Sequence, residues 1–154
     1  MTIANQLAYL LHRFLLLAQE YAGDIVGARA SAQQMLGPVE TLCQKDPDNP
    51  NFAVPLSLTR AVLGQKDAAI KEAERAITLL PSGKDAVEGP SREENLAFVE
   101  VLVGDKNRAI PRLQRLLEIP YQDCLTPALL RLHPQWDPLR GDPRFQTLCE
   151  EKKP

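Results

Sequence analysis

Three times along the chain an apolar stretch with helical spacing runs into a glycine, and a second helical stretch carrying small residues at fixed places follows. The turns are Tyr21-Ala22-Gly23-Asp24, Val62-Leu63-Gly64-Gln65-Lys66-Asp67 and Leu102-Val103-Gly104-Asp105-Lys106-Asn107. The glycines lie 41 and 40 residues apart. A helix commonly ends in a left-handed residue, which glycine adopts without a Cβ penalty. Asp24, Asp67, Asp105 and Asn107 then stand where a side chain caps the next helix. Five residues after each glycine comes Ala28, Ala69 or Ala109, and twelve after comes Met35, Ala76 or Leu116. Small residues at such offsets let two helices approach closely. The pattern predicts helix pairs over about 5–45, 51–80 and 91–118.

Proline and capping signals refine these boundaries. Gly37-Pro38 predicts a kink or break in the helix that starts at Asp24. Pro55 is awkward deep in a helix, so the reading starts that helix later than Asn51. Pro111 is compatible with a helix only if Asn107 is its cap. Ser91, with Glu94 three residues on, has the spacing of a capping box and marks a helix start. Thr126-Pro127 and Asp142-Pro143 are cap-then-proline starts and predict two short helices, Pro127–Leu132 and Pro143–Glu151. A stack of helix pairs ends in an apolar face that needs a cover. Leu129, Leu132, Trp136, Leu139, Phe145 and Leu148 are the candidates for that cover.

Together these residues resemble the tetratricopeptide repeat family, whose unit is about 34 residues of paired antiparallel helices. Gly64, Ala69, Ala76 and Pro81 fall on the family's motif positions. The third unit keeps Gly104 and Ala109, with Pro120 one residue early, and the first keeps Gly23 and Ala28. The extra residues of the longer units fall in Gly37–Asn49 and Ser82–Pro90, read as a helix extension and a long loop. The family usually has a large aromatic four residues before the turn glycine, where this chain has Gln19, Arg60 and Glu100. These form either a polar ladder, with Arg60 facing Glu100, or three independently solvated side chains.

The resemblance implies an all-α, right-handed α-solenoid of three antiparallel helix pairs. A short C-terminal cap over about 121–151 would complete a single domain spanning 1–154. From Leu125 through Phe145 the tail is similar to a C-terminal ending of bacterial tetratricopeptide regions fused to protein kinases, cyclases or transcription regulators. The implied role is protein–protein interaction or scaffolding, as the docking or sensory part of a bacterial signalling or regulatory protein. By the family's lining positions, the concave face carries Arg13, Leu17, Asn51, Val54, Leu58, Arg60, Glu94, Asn95 and Phe98. Asn95 matches one position of a carboxylate clamp found in some relatives, and the rest of that clamp is absent.

The first helix adds a second reading. Leu7, Leu10, Leu11 and Phe14, with Leu15, Leu16 and Leu17, occupy more than the one apolar stripe of a surface helix. The excess marks self-association or packing on a further repeat. That segment is interrupted by His12 and Arg13 and falls short of the ~20 apolar residues that span a bilayer. No cation precedes it as in a signal peptide, and the chain reads as cytoplasmic.

Composition narrows the chemistry. The 154 residues carry 18 Lys+Arg against 20 Asp+Glu, a net charge of −2, which argues against non-specific nucleic-acid binding. Cys43, Cys124 and Cys149 are odd in number and widely spaced, so they read as reduced thiols. His12 and His133 are the two histidines, and no Cys-x-x-Cys or paired-His spacing exists, so no metal or cofactor is expected. No nucleophile motif or phosphate-cradling glycine loop is present. Glu93/Glu94 and Glu150/Glu151 read as solvated helix faces rather than acid–base dyads. The chain is expected not to be an enzyme.

Overall fold

A computed structural model of the chain describes residues 22–121 and 125–150. Among these residues the fold is all-α, with no strand. Helix α1 is Ile25–Lys45, α2 is Pro50–Val62, α3 is Lys66–Leu79, α4 is Gly89–Leu102 and α5 is Lys106–Leu116. The tail forms α6 (Pro127–Leu132), a 3-10 turn (Pro134–Leu139) and α7 (Pro143–Leu148). The helix expected over 5–21 lies outside the described residues, and with it His12, Gln19 and every candidate from Leu7 to Leu17; so does Cys124.

Local chemistry explains most of the boundaries. The Asp24 carboxylate accepts from the Gly27 amide at 2.9 Å and starts α1. Asp105 accepts from Arg108 N at 3.2 Å, and Thr126 from Leu129 N at 3.1 Å. Three expected caps are corrected. Helix α3 follows Gln65, whose side chain makes no capping bond, and Asp67 lies within its first turn. Helix α5 starts at Lys106, so Asn107 is already helical; its side chain instead accepts from Arg144 Nη2 at 3.0 Å. Helix α4 begins at Gly89, so Ser91 is its third residue and no capping box forms; Glu94 accepts from Tyr121 Oη at 2.8 Å.

The interior prolines are also corrected. Helix α1 runs unbroken past Gly37-Pro38, α2 starts at Pro50 with Pro55 inside it, and α5 contains Pro111. A proline removes the bond to the carbonyl four residues earlier. Those carbonyls belong to Gln34, Asn51 and Asn107, all exposed residues, so water can satisfy what the ring cannot.

The two fully described turns are built alike. Gly64 and Gly104 have φ of 76° and 84°. Gln65 N–H donates to Arg60 O at 2.9 Å and Gly64 N–H to Ala61 O at 2.9 Å. One unit later Asp105 N–H donates to Glu100 O at 2.7 Å and Gly104 N–H to Val101 O at 3.0 Å. This nested pair of bonds is the Schellman ending of a helix. Gly89 serves differently: a Cβ there would stand 2.6 Å from the Ser82 backbone, so only glycine lets the loop close onto α4.

From α1 to α5 each helix packs on the next, α2 also packs on α4, and the tail meets this stack through the 3-10 turn on α4 and α7 on α5. The fully buried residues of α3 are Ala69, Ala73 and Ala76. One core runs from α2 through α5 into the tail, and a smaller one joins α1 to α2 through Ala28, Ala32, Met35, Val39, Leu56 and Val62. Trp136 meets Phe98 edge-on, with ring centroids 6.1 Å apart. Trp136, Leu139 and Phe145 are buried as the cover reading expects, each such side chain contributing about 1.5–3 kcal/mol. Leu129 and Leu132 are 43% and 71% exposed, a correction; Leu125 and Leu130 are buried in their place. Positions 129 and 132 share one face of the short α6, and Leu130 points the other way.

Two predictions follow from this geometry. Gly64→Ala and Gly104→Ala should each lower stability by about 1 kcal/mol in urea denaturation, since the added Cβ meets open space and only the left-handed backbone resists it. Gly141→Ala, with open space and no such backbone, should leave stability unchanged or slightly raised. Asp142 accepts from the guanidinium of Arg144 and, more weakly, from its backbone N–H, which hold its carboxyl at about 2 against an ordinary 3.8. Its contribution is therefore complete above pH 3.8 and lost as pH falls through about 2. Asp142→Asn should remove that part of the acid limb of a pH–stability curve, and a carboxyl NMR titration midpoint near 3.8 would contradict it.

Candidate functional site

Helix α2 is hemmed in by α1, α3 and α4, and every residue from Ala53 to Thr59 is buried. Val54 and Leu58 therefore belong to the core, as does Phe98 of α4 against Trp136. This corrects their reading as groove-lining side chains: the faces that would line a groove are spent on neighbouring helices. What reaches the α2–α4 surface is polar. Arg92 Nη2 donates to Asn51 Oδ1 at 2.8 Å and to Glu88 at 3.2 Å, and Asn95 Nδ2 donates to Ser57 Oγ at 3.1 Å. Asn51 is exposed, and Arg92, Glu94 and Asn95 are half-buried. The sequence reading placed Asn51, Glu94 and Asn95 here and missed Arg92, whose signal is its position one helical turn from both Glu88 and Asn95.

The expected ladder of Arg60 facing Glu100 does not form. Each side chain reaches across its own pair to the second helix. Arg60 Nη1 donates to Glu72 at 3.3 Å, and Nη2 to Glu40 of α1 at 3.1 Å. Glu100 has no exposed surface and accepts both prongs of Arg112, at 3.0 and 3.2 Å, with Arg108 Nε at 3.4 Å. The two cross-pair contacts are equivalent with their charges exchanged: 60 and 100 differ by 40, as do 72 and 112 and the glycines 64 and 104. That shared offset was the available signal for Glu72 and Arg112. Glu93 is likewise not a solvated face; it is buried and accepts from Ser82 Oγ at 3.0 Å and from Arg115.

The remaining polar groups are quiet chemically. Burial pushes the Cys43 thiol up, opposed by the nearby Arg75 guanidinium, and burial does the same to Cys149 against Arg140 and Arg131. A raised thiol holds less thiolate, the reactive form. His133 Nδ1 accepts from Gln135 N at 3.4 Å and starts the 3-10 turn. A cleft of about 420 Å³ opens at the cap between Leu117, Glu118, Pro127 and Leu148, a place the sequence pattern did not indicate. Among the described residues no cluster of three His, Cys, Asp or Glu is placed to hold a metal ion, and no helix is long and apolar enough to cross a membrane. No family model matches the chain, and no curated protein or solved structure matches it either.

Breaking the Glu100–Arg112 pair from one side leaves a buried carboxylate short of its partner. Arg112→Ala should therefore cost about 2–3 kcal/mol in chemical denaturation. Glu100→Met combined with Arg112→Met should recover most of that loss. Glu74→Ala removes only the exposed partner of Arg108 and should stay within about 0.5 kcal/mol. Equal losses at positions 74 and 112 would show that burial is not what gives the pair its weight.

Proposed function

We propose that this chain is a tetratricopeptide-like protein-interaction module, a right-handed stack of helix pairs that offers a groove to a protein or peptide partner. The observation that carries the reading is the recurrence, at an offset of 40 residues, of the same turn, the same buried alanine and the same cross-pair contact. Contact between α2 and α4, the first helices of successive pairs, fits such a stack. The groove would use Asn51, Arg92, Glu94 and Asn95, polar groups on elements already fixed by packing. With a net charge of −2, selection of a partner would rest on hydrogen bonding and shape rather than on a strong field. By the likeness of its tail, the module would serve as a docking part of a cytoplasmic bacterial signalling or regulatory protein.

A peptide array followed by NMR shift mapping tests this. Shifts clustered on Asn51, Arg92 and Asn95 support the reading, and Asn51→Ala with Asn95→Ala should then weaken a selected peptide about tenfold, a loss of ~1.4 kcal/mol. The leucine excess of Leu7–Leu17 favours the second reading, self-association. An inert groove, with concentration-dependent shifts confined to that segment, would overturn the first reading in favour of the second.

A further inference from the structure

Two successive helix pairs share so much backbone geometry that the backbone alone leaves their pairing ambiguous. The α2–α3 and α4–α5 pairs have the same left-handed glycine, the same nested turn bonds and the same buried alanine at 69 and 109. Nothing in those features prevents α2 from folding against α5, or α4 against α3, in the manner of a native pair, within one chain or between two. The charged contacts do. In the native pairing Arg60 meets Glu72 and Glu100 meets Arg112. Exchange sets Arg60 against Arg112 and Glu100 against Glu72. Glu100 is fully buried, so in the exchanged arrangement water has little access to relieve the repulsion. Three of these charges each have a further partner of opposite sign: Glu40 beside Arg60, Arg75 beside Glu72 and Arg108 beside Glu100. In the exchanged arrangement Arg108 would add to the repulsion at Arg60, while Glu40 and Arg75 would offset part of it.

We infer that the opposite polarity of the Arg60–Glu72 and Glu100–Arg112 pairs is a pairing code that holds each helix to its own partner and opposes exchange of helices between pairs and between copies. The device rests on the pair geometry and is independent of any partner in the groove. Buried charges are best attested in such register-selecting roles, and like-charge juxtaposition is a known way to exclude a wrong arrangement. The seam also differs in size, Ala73 and Ala76 against Leu113 and Leu116, and the test holds that difference constant.

The full chain carrying Glu40→Gln, Arg75→Gln and Arg108→Gln removes the side partners and serves as the background. On it are placed the inversion R60E/E72R, the inversion E100R/R112E, and both together. Each protein is refolded from urea at low and high concentration, and light scattering after size exclusion reads the dimer that survives dilution. That persistence separates exchanged dimers from reversible association through the first helix. The background and the doubly inverted protein keep opposite polarities and should refold mainly as monomers. Either single inversion makes the polarities equal and should raise persistent dimer severalfold. Equal dimer in all four, or a doubly inverted protein that behaves like the single inversions, overturns the code. Should a single inversion not fold, E100Q/R112Q decides: it removes the sign from one pair while keeping its shape, and an unchanged monomer fraction refutes the proposal.

Discussion

Ala69, Ala73 and Ala76 leave α3 with a fully buried stripe no wider than a methyl group, and α2 and α4 close on it from either side. Axes that meet through alanine lie near the short end of the 8–10 Å typical of helix packing. Proximity of this kind leaves long side chains near the seam little choice. They thread out to solvent or find a partner at once. Arg60 and Glu72 take the second course at this seam, and Glu100 and Arg112 take it on the α4–α5 seam, where leucines join a single alanine.

The same proximity governs how the pairs turn and end. A reversal tight enough to bring α3 back along α2 uses the left-handed glycine, and the two nested amide bonds then satisfy carbonyls that the helix end would otherwise leave open. The residue whose carbonyl accepts the outer of these bonds, the one that spans more residues, is Arg60 in one unit and Glu100 in the next, so backbone and side chain of one position fasten both turn and pair. At the far end, among the described residues, no further long helix pair follows, only the short elements of the tail. Leu125, Leu130, Trp136, Leu139 and Phe145 fill that place, and the T-shaped contact of Trp136 with Phe98 ties the tail to α4.

Features decided by a residue and its nearest neighbours in sequence were legible in the chain. Glycine turns, the Asp24, Thr126 and Asp142 caps and the short proline-led helices of the tail are of this kind. Features decided by neighbours in space were not. Pro55 looks prohibitive in sequence, yet the carbonyl it frees lies on exposed Asn51 and the ring gains a packed environment. Ser91 and Glu94 have capping-box spacing, but the contact of Gly89 with Ser82 and the demand of Tyr121 for a partner pull both into other roles. In Leu129-Leu130-Arg131-Leu132 a helix of six residues is too short for its periodicity to say which leucine turns inward. At the candidate surface, Asn51, Glu94 and Asn95 were placed only by the lining positions of the family the chain resembles, whereas the burial of Val54, Leu58 and Phe98 depends on how many helices surround them.

The exchanged charges at 60/72 and 100/112 have a consequence for comparing the two units with each other. Aligned residue by residue, both positions count as substitutions by the opposite charge, the most dissimilar kind. The interaction they make is nevertheless retained, because attraction depends on the product of two charges and not on the sign of either. An averaged sequence of the two units would erase both contacts while keeping the turn glycine of 64 and 104 and the buried alanine of 69 and 109. What repeats at these positions is a relation between residues, and a comparison that treats sites one at a time is blind to it.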